Sequence, residues 1–439
     1  MPFSKITLEQ MLLARDRRAS RQAALLSRYG RPVISFTMNI AGPVKDSPLI
    51  RYAFRSGLRQ LEALPCAQLC REVIFEPTGP EALLVYETQD ARLLKAFCIR
   101  LESEGEAGRL FDLDVLDANG EKLSRETGRT CLVCGGPVSV CSRSRAHGLE
   151  AITARTRTIL EAFAAETLGE MAENALLAEV HFTPKPGLVD EANNGAHRDM
   201  DVPLFERSAH ALRPCFEEFV RLGIQGASPA ALQQAGVRAE QAMFAATGGV
   251  NTHKGAVFSV GIVCAALGRL DRSLWVDAAR VLSEVSAMTV GLSEKDFADV
   301  TAENAATVGQ KLYIQYGITG VRGQVEAGLP AVLNVGLPVL EEGLAKGYDF
   351  DRAGGGALLA ILANSTDTNI IARSSRERQL ALTEELKALL AQTPYPDKDA
   401  LAALDDRFIA ENLSPGGSAD LLALTCLLHF VTTEGNINE

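Results

Sequence analysis

The run TPKPGLVDEANNGAHRDMD, residues 183–201, holds the densest group of side chains in the sequence that could do chemistry. Its prolines and glycines favour a loop over a regular helix. Carboxylate oxygens in such a loop can bind a divalent metal, and a lysine can bind phosphate. The candidate residues are Lys185, Asp190, Asn193, Asn194, His197, Asp199 and Asp201. We interpret the run as a loop that handles a nucleotide triphosphate; the alternative is an ordinary solvated loop.

A second polar run, ATGGVNTHKGAVFSVG, precedes an apolar segment with helical spacing. Backbone N–H groups at the start of that helix would favour an anion, and Lys254 adds positive charge. The G-K-[ST] order of a P-loop is absent, so we infer no P-loop fold. The candidate ligand-binding residues of this run are Gly248, Gly249, Asn251, His253 and Lys254.

Two more polar runs lie between apolar segments near the C-terminus. NSTDTNIIAR contains Asp367 and Asn369, and an acid in apolar surroundings needs a partner. SPGGSADLLALT contains Ser418, which fits a helix cap, and Asp420 in the first turn of the same helix. Asp420 either belongs to a site or only complements the helix dipole.

In the N-terminal part, the run GRLFDLDVLD contains Asp112 and Asp114. Side chains two residues apart on a strand point to the same side, so these carboxylates could hold Mg²⁺ against a polyphosphate. Such a metal offsets charge on the attacked phosphate and on leaving pyrophosphate. The alternative is a solvated edge strand.

The run TGRTCLVCGGPVSVCSRSRAHG allows two interpretations. A first set, Cys131, Cys134, Cys141 and His147, could form a Cys₃His zinc site, although the last spacing is loose. A second set, Arg143, Arg145 and His147, supplies cationic donors that match phosphate oxygens. We favour phosphate binding and leave the zinc site open.

Asn39, Gly42 and Lys45 lie where a predicted strand, SFTMNI, runs into a turn. A glycine-containing turn followed by lysine can approach a phosphate. Without the other N-terminal motifs, a plain turn would be the simpler interpretation.

The elements that must position these residues differ between the two parts of the chain. Up to about residue 150, β-branched runs alternate with helical segments, which predicts an α+β domain, and Asn119-Gly120 predicts a hairpin. Beyond it, Ala- and Leu-rich segments with helical spacing predict a mostly all-α domain. We predict domain boundaries of 1–160 and 161–439.

Composition and charge narrow the class of protein. Hydrophobic residues make up 47% and charged residues 23%, which is ordinary for globular proteins. No apolar run approaches the roughly 20 residues of a membrane span, and the N-terminus has no signal core. Residues 1–160 hold 23 Lys and Arg against 18 Asp and Glu, while the remainder is strongly acidic. We expect a cytoplasmic enzyme with no membrane or nucleic-acid partner, and nine mostly scattered, reduced cysteines.

The runs TMNIAGPVK, GRLFDLDV and GRTCLVC…CSRSRAH resemble the apo-citrate lyase phosphoribosyl-dephospho-CoA transferase family, over roughly residues 5–160. That family transfers a phosphoribosyl-dephospho-CoA unit to a serine of the acyl carrier protein of citrate lyase and releases pyrophosphate. The resemblance implies an apo carrier-protein partner, which the basic charge of this part suits.

The four C-terminal runs, in this order, resemble the triphosphoribosyl-dephospho-CoA synthase family over roughly residues 165–435. That family joins ATP to 3′-dephospho-CoA and releases adenine. Its reaction breaks an N-glycosidic bond through an oxocarbenium-like state. The resemblance implies that Lys185, Lys254 and Mg²⁺ hold the triphosphate and that His197 or His253 moves protons. The carboxylates assigned to metal binding or to oxocarbenium stabilisation are Asp190, Asp199, Asp201 and Asp367.

Two alternatives stay open at this point. A related synthase prepares the same prosthetic group for malonate decarboxylase, so the carrier protein could differ. The N-terminal part could also be a zinc-stabilised docking module for a carrier protein rather than a transferase.

Overall fold

A computed structural model describes residues 4–125 and 128–435, with the side chains of residues 434 and 435 left aside. The chain divides into two compact units, with the boundary between Ala164 and Ala165. The boundary falls inside one long helix, Leu149–His181.

The N-terminal unit contains a four-stranded antiparallel sheet in the order β2-β3-β1-β4. The strands are β1 (Val33–Met38), β2 (Gln68–Glu76), β3 (Gly79–Tyr86) and β4 (Phe111–Leu116). The helices are α1 (Leu8–Tyr29), α2 (Pro48–Leu61), α3 (Ala91–Leu101), α4 (Gly105–Gly108), α5 (Val138–Ser144) and the first part of α6 (Leu149–His181). The unit is therefore α+β, as predicted.

Alternation along β4 positions the two acidic residues of the N-terminal motif. Phe111, Leu113 and Val115 are buried, whereas Asp112 and Asp114 are half-buried on the opposite face. A strand exposes alternate residues to opposite faces, so this pattern follows directly from the sequence FDLDVL. The partners of the two acids on β1 are Thr37 and Ser35.

Of the hairpin predicted at Asn119-Gly120, the structure contains the turn but no second strand among the described residues. The carboxylate of Asp117 accepts the backbone N–H groups of Asn119 and Glu121 at 2.9 Å each, and Gly120 has a positive φ of 86°. The second arm of the hairpin is a single bridge between Leu116 and Lys122 rather than a strand. The aspartate organises the turn locally, and no extended partner follows it.

The C-terminal unit is helical, and every strand in the described part of the chain lies in the other unit. Its first helices are the end of α6, α7 (Val202–Ile224), α8 (Pro229–Thr247), α9 (Lys254–Arg269), α10 (Ala278–Met288), α11 (Leu292–Phe297), α12 (Val308–Tyr316) and α13 (Gly320–Glu326). The remaining helices are α14 (Leu337–Ala345), α15 (Phe350–Asn364), α16 (Thr368–Arg373), α17 (Arg376–Gln392), α18 (Lys398–Ala410) and α19 (Gly416–Gly435). The prediction of a mostly all-α C-terminal part is confirmed.

Three apolar helices, α9, α15 and α19, contribute the largest groups of buried hydrophobic residues to the core of this unit. The stretch Gly416–Thr433 of α19 is long and apolar enough to cross a membrane by composition alone, but 67% of it is buried inside the protein. Its burial identifies it as a core helix. The helix begins at Gly416, so Asp420 lies just beyond its first turn rather than in it.

Candidate active sites

Lys185 lies in the loop between α6 and α7 and is buried against the end of α6. Its ammonium group donates to the backbone carbonyl and to Oε1 of Glu179, at 2.6 Å each. The two side chains are only 2% and 6% exposed. The carbonyl of Glu179 is one of the last four of the helix, which lack helical partners. Lys185 therefore caps α6 and neutralises a buried carboxylate at the same time.

Asp367 joins the start of α16 to the start of α19. Its Oδ1 accepts the backbone N–H groups of Asn369 and Ile370 at 2.9 and 3.2 Å, as a helix cap does. Its Oδ2 accepts the backbone N–H and the hydroxyl of Ser418 at 2.7 and 2.9 Å. Burial raises the pKa of Asp367, and these hydrogen bonds oppose the rise.

Asp420 lies against the first turn of α9. A Cβ on Gly255 would approach its Oδ2 to 1.9 Å, so only glycine leaves room for the carboxylate there. The carboxylate accepts a hydrogen bond from the backbone N–H of Ala256. An anion was predicted at the start of α9, where the helix dipole favours negative charge. The anion found there is the carboxylate of Asp420, a residue of the protein itself.

Glu179, Lys185, Asp367 and Asp420 form what we call the buried charge cluster. Burial, and then the negative charges of Glu179 and Asp367, raise the pKa of Asp420 well above its ordinary value. Glu179 pairs with the ammonium group of Lys185, and the cluster as a whole holds three carboxyl groups and one cation. Carboxylate oxygens in excess of nearby positive charge are the donor set that Mg²⁺ prefers.

His253 is buried beside the cluster at the start of α9. Its Nδ1 lies 2.8 Å from Oγ of Ser208, and the hydroxyl of Thr252 donates to that Oγ at 2.7 Å. Its Nε2 is buried, and no hydrogen-bonding partner for that atom exists in the described part of the chain. Burial, and then the charge of Lys185, lower the pKa of His253 to about 3. The imidazole is consequently neutral at pH 7.

Asp190 shapes the loop that was predicted to handle a triphosphate. Its Oδ2 accepts the backbone N–H of Lys185 at 2.7 Å. Its Oδ1 accepts the backbone N–H groups of Ala192 and Asn193 at 2.8 and 3.0 Å. Because both oxygens are engaged within the loop, Asp190 holds the backbone that presents Lys185.

Asp405 of α18 ties the same loop to the distant end of the chain. Its oxygens accept the backbone N–H of Gly187 at 2.8 Å and Nδ2 of Asn193 at 2.7 Å. Gly187 has a φ of 72°, and a Cβ there would approach the carbonyl oxygen of Leu413 to 2.3 Å. The close approach explains the glycine, and burial raises the pKa of Asp405.

His197 forms a separate polar group with Arg373 and Ser414. Nη2 of Arg373 donates to Nδ1 of the ring at 3.2 Å, and Nη1 donates to the carbonyl of Ala196 at 2.9 Å. Because Nδ1 accepts, the proton lies on Nε2, which donates to Oγ of Ser414 at 2.8 Å. Burial, and then the charge of Arg373, lower the pKa of His197.

The other predicted residues of this unit lie nearer the surface. The exposed ones are Asn194, Asp199, Asp201, Gly248, Gly249, Asn251, Lys254 and Asn369. Asp201 caps α7 by accepting the N–H of Leu204 at 2.9 Å, and Lys254 pairs with Glu240 at 2.9 Å. Gly248 and Gly249 have positive φ and open space around them, so their backbone is accessible to a ligand.

In the N-terminal unit, each acid of the predicted metal pair contacts a cation. Asp112 lies 3.0 Å from Nη2 of Arg129, and Asp114 lies 2.6 Å from Nζ of Lys122. The hydroxyl of Thr37 also approaches Asp112, at 3.5 Å. This face of the sheet therefore combines two carboxylates with two cations, a set that can hold a metal or a phosphate once the ion pairs open.

Glu102 organises the arginines next to Asp112. It is buried, accepts the backbone N–H of Leu113 at 2.8 Å, and forms short ion pairs with Arg125 and Arg129. Lys95 donates to the carbonyl of Leu113 at 3.0 Å, and burial lowers the pKa of this lysine. Glu102 thus holds the side chains of Arg125 and Arg129 in place near the acidic pair.

The remaining predicted residues of this unit occupy two places. Asn39 donates its backbone N–H to Leu110 at 2.7 Å, next to the start of β4, and is exposed. Lys45 turns back onto the carbonyl of Ile40, and burial lowers its pKa. Arg143 and Arg145 are exposed.

Sequence reasoning did not single out Glu179, Asp405 or Arg129. Glu179 could have been found, because its position continues the buried face of α6 that carries Ala172 and Leu176. An acid on such a face needs a cationic partner. Asp405 gives no comparable local signal, since it pairs with residues more than 200 positions away.

Comparisons with known proteins divide the chain in the same region. Residues 6–163 match a family model described as CitX, apo-citrate lyase phosphoribosyl-dephospho-CoA transferase. Residues 165–438 match one described as CitG, ATP:dephospho-CoA triphosphoribosyl transferase.

Several curated proteins are similar to the chain. It is 37% identical to Protein CitXG of Haemophilus influenzae, over 99% of this chain and 97% of that protein. It is 35% identical to Protein CitXG of Leuconostoc mesenteroides subsp. cremoris, over 97% of each. The 2-(5''-triphosphoribosyl)-3'-dephosphocoenzyme-A synthase of Pectobacterium atrosepticum is 43% identical and matches 61% of this chain and 90% of its own length.

Proposed function

The chain belongs to the family of fused CitX–CitG transferases, and from that membership we propose that it catalyses two consecutive steps of prosthetic-group synthesis. The C-terminal unit joins ATP to 3′-dephospho-CoA and releases adenine. The N-terminal unit transfers the phosphoribosyl-dephospho-CoA group to a serine of an acyl carrier protein and releases diphosphate. The end-to-end similarity to fused relatives carries this proposal, and nothing in the comparisons favours malonate decarboxylase as the recipient.

In the first step, the bond from ribose C1″ to adenine breaks while the triphosphate stays intact. The ribose carbon gains positive charge in the transition state, and a nearby carboxylate lowers the energy of that state. We assign this task to Asp420, because its carboxylate accepts one backbone N–H, that of Ala256, whereas both oxygens of Asp190 and of Asp367 are engaged by the protein. Asp190 and Asp367 would then position the loop and the helix starts around the substrate.

The same step must move two protons, one from the attacking 2′-hydroxyl and one to adenine. We assign one of these transfers to His253, because its Nε2 has no hydrogen-bonding partner among the described residues and a substrate atom could take that place. His197 has both nitrogens engaged, by Arg373 and Ser414, which suits a residue that positions the loop. The exposed Lys254, Asn251 and Gly249 are the proposed contacts for the triphosphate.

The sequence context of Lys185 indicates phosphate binding, but the position of its side chain favours a structural role. Its ammonium group is buried in a pair with Glu179 and does not face solvent. We propose that it keeps the buried charge cluster folded and sets the field around His253 rather than binding phosphate directly. Mg²⁺ bound to the phosphates of ATP would supply charge neutralisation for the incoming nucleotide.

In the second step, the serine hydroxyl of the carrier protein attacks a phosphate and diphosphate leaves. Asp112 and Asp114 are the proposed Mg²⁺ ligands, and the metal would offset charge on the leaving diphosphate. Arg129 would exchange its contact with Asp112 for one with a phosphate oxygen. Asn39, Lys45, Arg143 and Arg145 remain proposed phosphate contacts. The recipient we propose is the apo carrier subunit of citrate lyase, in the cytoplasm.

The first test follows the products of the intact protein. Incubation with ATP, Mg²⁺ and 3′-dephospho-CoA should release adenine in proportion to the coenzyme consumed, measured by chromatography. Adding the apo carrier subunit of citrate lyase should then release diphosphate and increase the mass of the carrier. ADP or AMP as the main product would refute the proposal for the C-terminal unit.

Variants separate the two steps. Asp112→Asn should abolish diphosphate release and leave adenine release unchanged, because only the second step uses that carboxylate. Glu121→Gln, an exposed acid close to the same strand, is the matched control and should retain both activities. A preference for the malonate decarboxylase carrier over the citrate lyase carrier would contradict the proposed recipient.

A further inference from the structure

Three thiols and one imidazole of the N-terminal unit converge after β4. The ligand atoms of Cys131, Cys134, Cys141 and His147 all lie within 4.8 Å of one another. Sγ of Cys134 and Sγ of Cys141 are 3.5 Å apart. A tetrahedral metal with bonds of about 2.3 Å to sulfur separates its sulfur ligands by about 3.8 Å. The side chains are therefore already close to the spacing that a four-coordinate zinc ion requires.

The backbone around the first two cysteines has the shape that a metal-binding turn needs. The N–H of Cys131 donates to the carbonyl of Gly136 at 2.6 Å, and the N–H of Gly135 donates back to Cys131 at 3.0 Å. Gly135 has a φ of 72°, which a residue with a side chain would rarely adopt. This tight turn directs the side chains at positions 131 and 134 to the same side.

A second observation points to a missing ligand at the centre of the group. Nε2 of His147 is buried, and no hydrogen-bonding partner for it exists among the described residues. A buried imidazole nitrogen without a partner is costly in the absence of a ligand. Cys131 is buried as well, so the group is not simply a set of surface thiols.

From these contacts we propose that Cys131, Cys134, Cys141 and His147 bind one structural Zn²⁺ ion. Three thiolates and one neutral imidazole, with the thiol protons lost to water, complete a tetrahedral shell with no position left for a substrate. The proposal replaces the phosphate role of His147 and does not depend on either transferase activity.

The position of this site indicates what the metal does for the unit. The carbonyl of Arg129 accepts the N–H of Val138 at 2.9 Å, which closes the turn that carries the first two cysteines. The side chains of Arg109 and Arg155 donate to the carbonyls of Cys131 and Leu132, at 3.2 Å each. The zinc ion would thereby fix the segment that holds Arg129 beside Asp112, so it is a positioning element for the second step.

Metal analysis of the full-length protein tests the proposal directly. The protein, purified without a polyhistidine tag from zinc-supplemented medium, should carry about one zinc per chain after gel filtration, measured by plasma mass spectrometry. A thiol-reactive mercurial should release that zinc. Reconstitution with Co²⁺ should give the strong visible absorption of a tetrahedral thiolate site, which does not depend on enzyme activity.

Variants locate the metal. Cys134→Ser and His147→Ala should lower the zinc content to background, whereas Cys66→Ser, a partly exposed thiol of the same unit, should keep it. Adenine release should be unchanged in all three, so a failed metal test and a failed proposal for the C-terminal unit are distinguishable. Wild-type protein without zinc, zinc retained in both ligand variants, or a disulfide between Cys134 and Cys141 in protein alkylated at lysis would overturn the proposal.

Discussion

Replacing Lys185 with methionine tests the central electrostatic feature of the C-terminal unit. Methionine has a similar length and no branching, so the change removes the charge and the hydrogen bonds with little change in volume. The ammonium group contacts the carbonyl and the carboxylate of Glu179 at 2.6 Å each, and both side chains are almost fully buried. Removing one partner of such a pair costs about 3–5 kcal/mol, because the other charge stays buried alone.

The expected loss depends on pH, because the stranded carboxylate can escape its penalty by binding a proton. In Lys185→Met the folded-state pKa of Glu179 should rise above its unfolded value. Each pKa unit of such a rise corresponds to about 1.4 kcal/mol. Destabilisation should therefore be full above the raised pKa and should shrink as pH falls below it towards the unfolded value. We expect the loss to be about 1–2 kcal/mol smaller at pH 5.5 than at pH 8.

The assay can be confined to this unit, because the sequence has a single tryptophan. Trp275 is buried in the C-terminal unit and donates its indole N–H to the carbonyl of Leu267 at 2.9 Å. Urea unfolding followed by its fluorescence therefore reports the free energy of unfolding of the helical unit at each pH. The reporter avoids averaging over two units that need not unfold together.

Two variants control this experiment. Lys254→Met breaks a half-exposed pair with Glu240 and should cost no more than about 1 kcal/mol. The double variant Lys185→Met with Glu179→Met should recover much of the loss of the single variant, since no unpaired charge remains. If Lys185→Met costs as little as Lys254→Met, or if its loss is equal at both pH values, the buried pair does not contribute as we argue.

The same fluorescence assay tests two further features of this unit. Asp405→Asn should lower the free energy of unfolding by about 1–3 kcal/mol, because the amide cannot accept both hydrogen bonds from the loop, whereas the exposed Asp406→Asn should change it by less than about 0.5 kcal/mol. His253 is neutral in the folded state down to a pKa of about 3, but it binds a proton below about 6.5 when unfolded, so its stabilising contribution is present above pH 6.5 and is lost as pH falls. The stability advantage of wild type over His253→Gln should thus shrink by about 2 kcal/mol between pH 7 and pH 5, and a constant difference would contradict the assigned burial.

The sequence predicted those features that depend on near neighbours. The helices of the C-terminal unit follow from apolar spacing within single segments, and the common face of Asp112 and Asp114 follows from the two-residue period of a strand. The ends of helices were also readable, since Ser47 and Ser228 precede proline at helix starts. Each of these inferences needs only a few consecutive residues.

The sequence did not predict how deeply each polar residue is buried. Lys185, Asp199 and Asp201 belong to one run, yet the first is buried and the other two are exposed. The difference arises from distant segments, because Asp405 holds Gly187 from 218 positions away and Asp420 meets Gly255 on another helix. The sequence of the loop alone does not show which of its residues such distant contacts will bury.

The excess of carboxyl groups over cations in the buried charge cluster bears on whether the nucleotide binds free or as its Mg²⁺ complex. The buried charge cluster holds three carboxyl groups and one ammonium group, and burial together with the charges of Glu179 and Asp367 raises the pKa of Asp420. A triphosphate approaching this region adds negative charge to a site that already disfavours it. Binding of a divalent cation relieves both the carboxylates and the phosphates, so we expect the nucleotide to be used as its Mg²⁺ complex. An uncomplexed nucleotide should then bind more weakly as pH rises, because Asp420 loses its proton, and Mg²⁺ should remove that dependence.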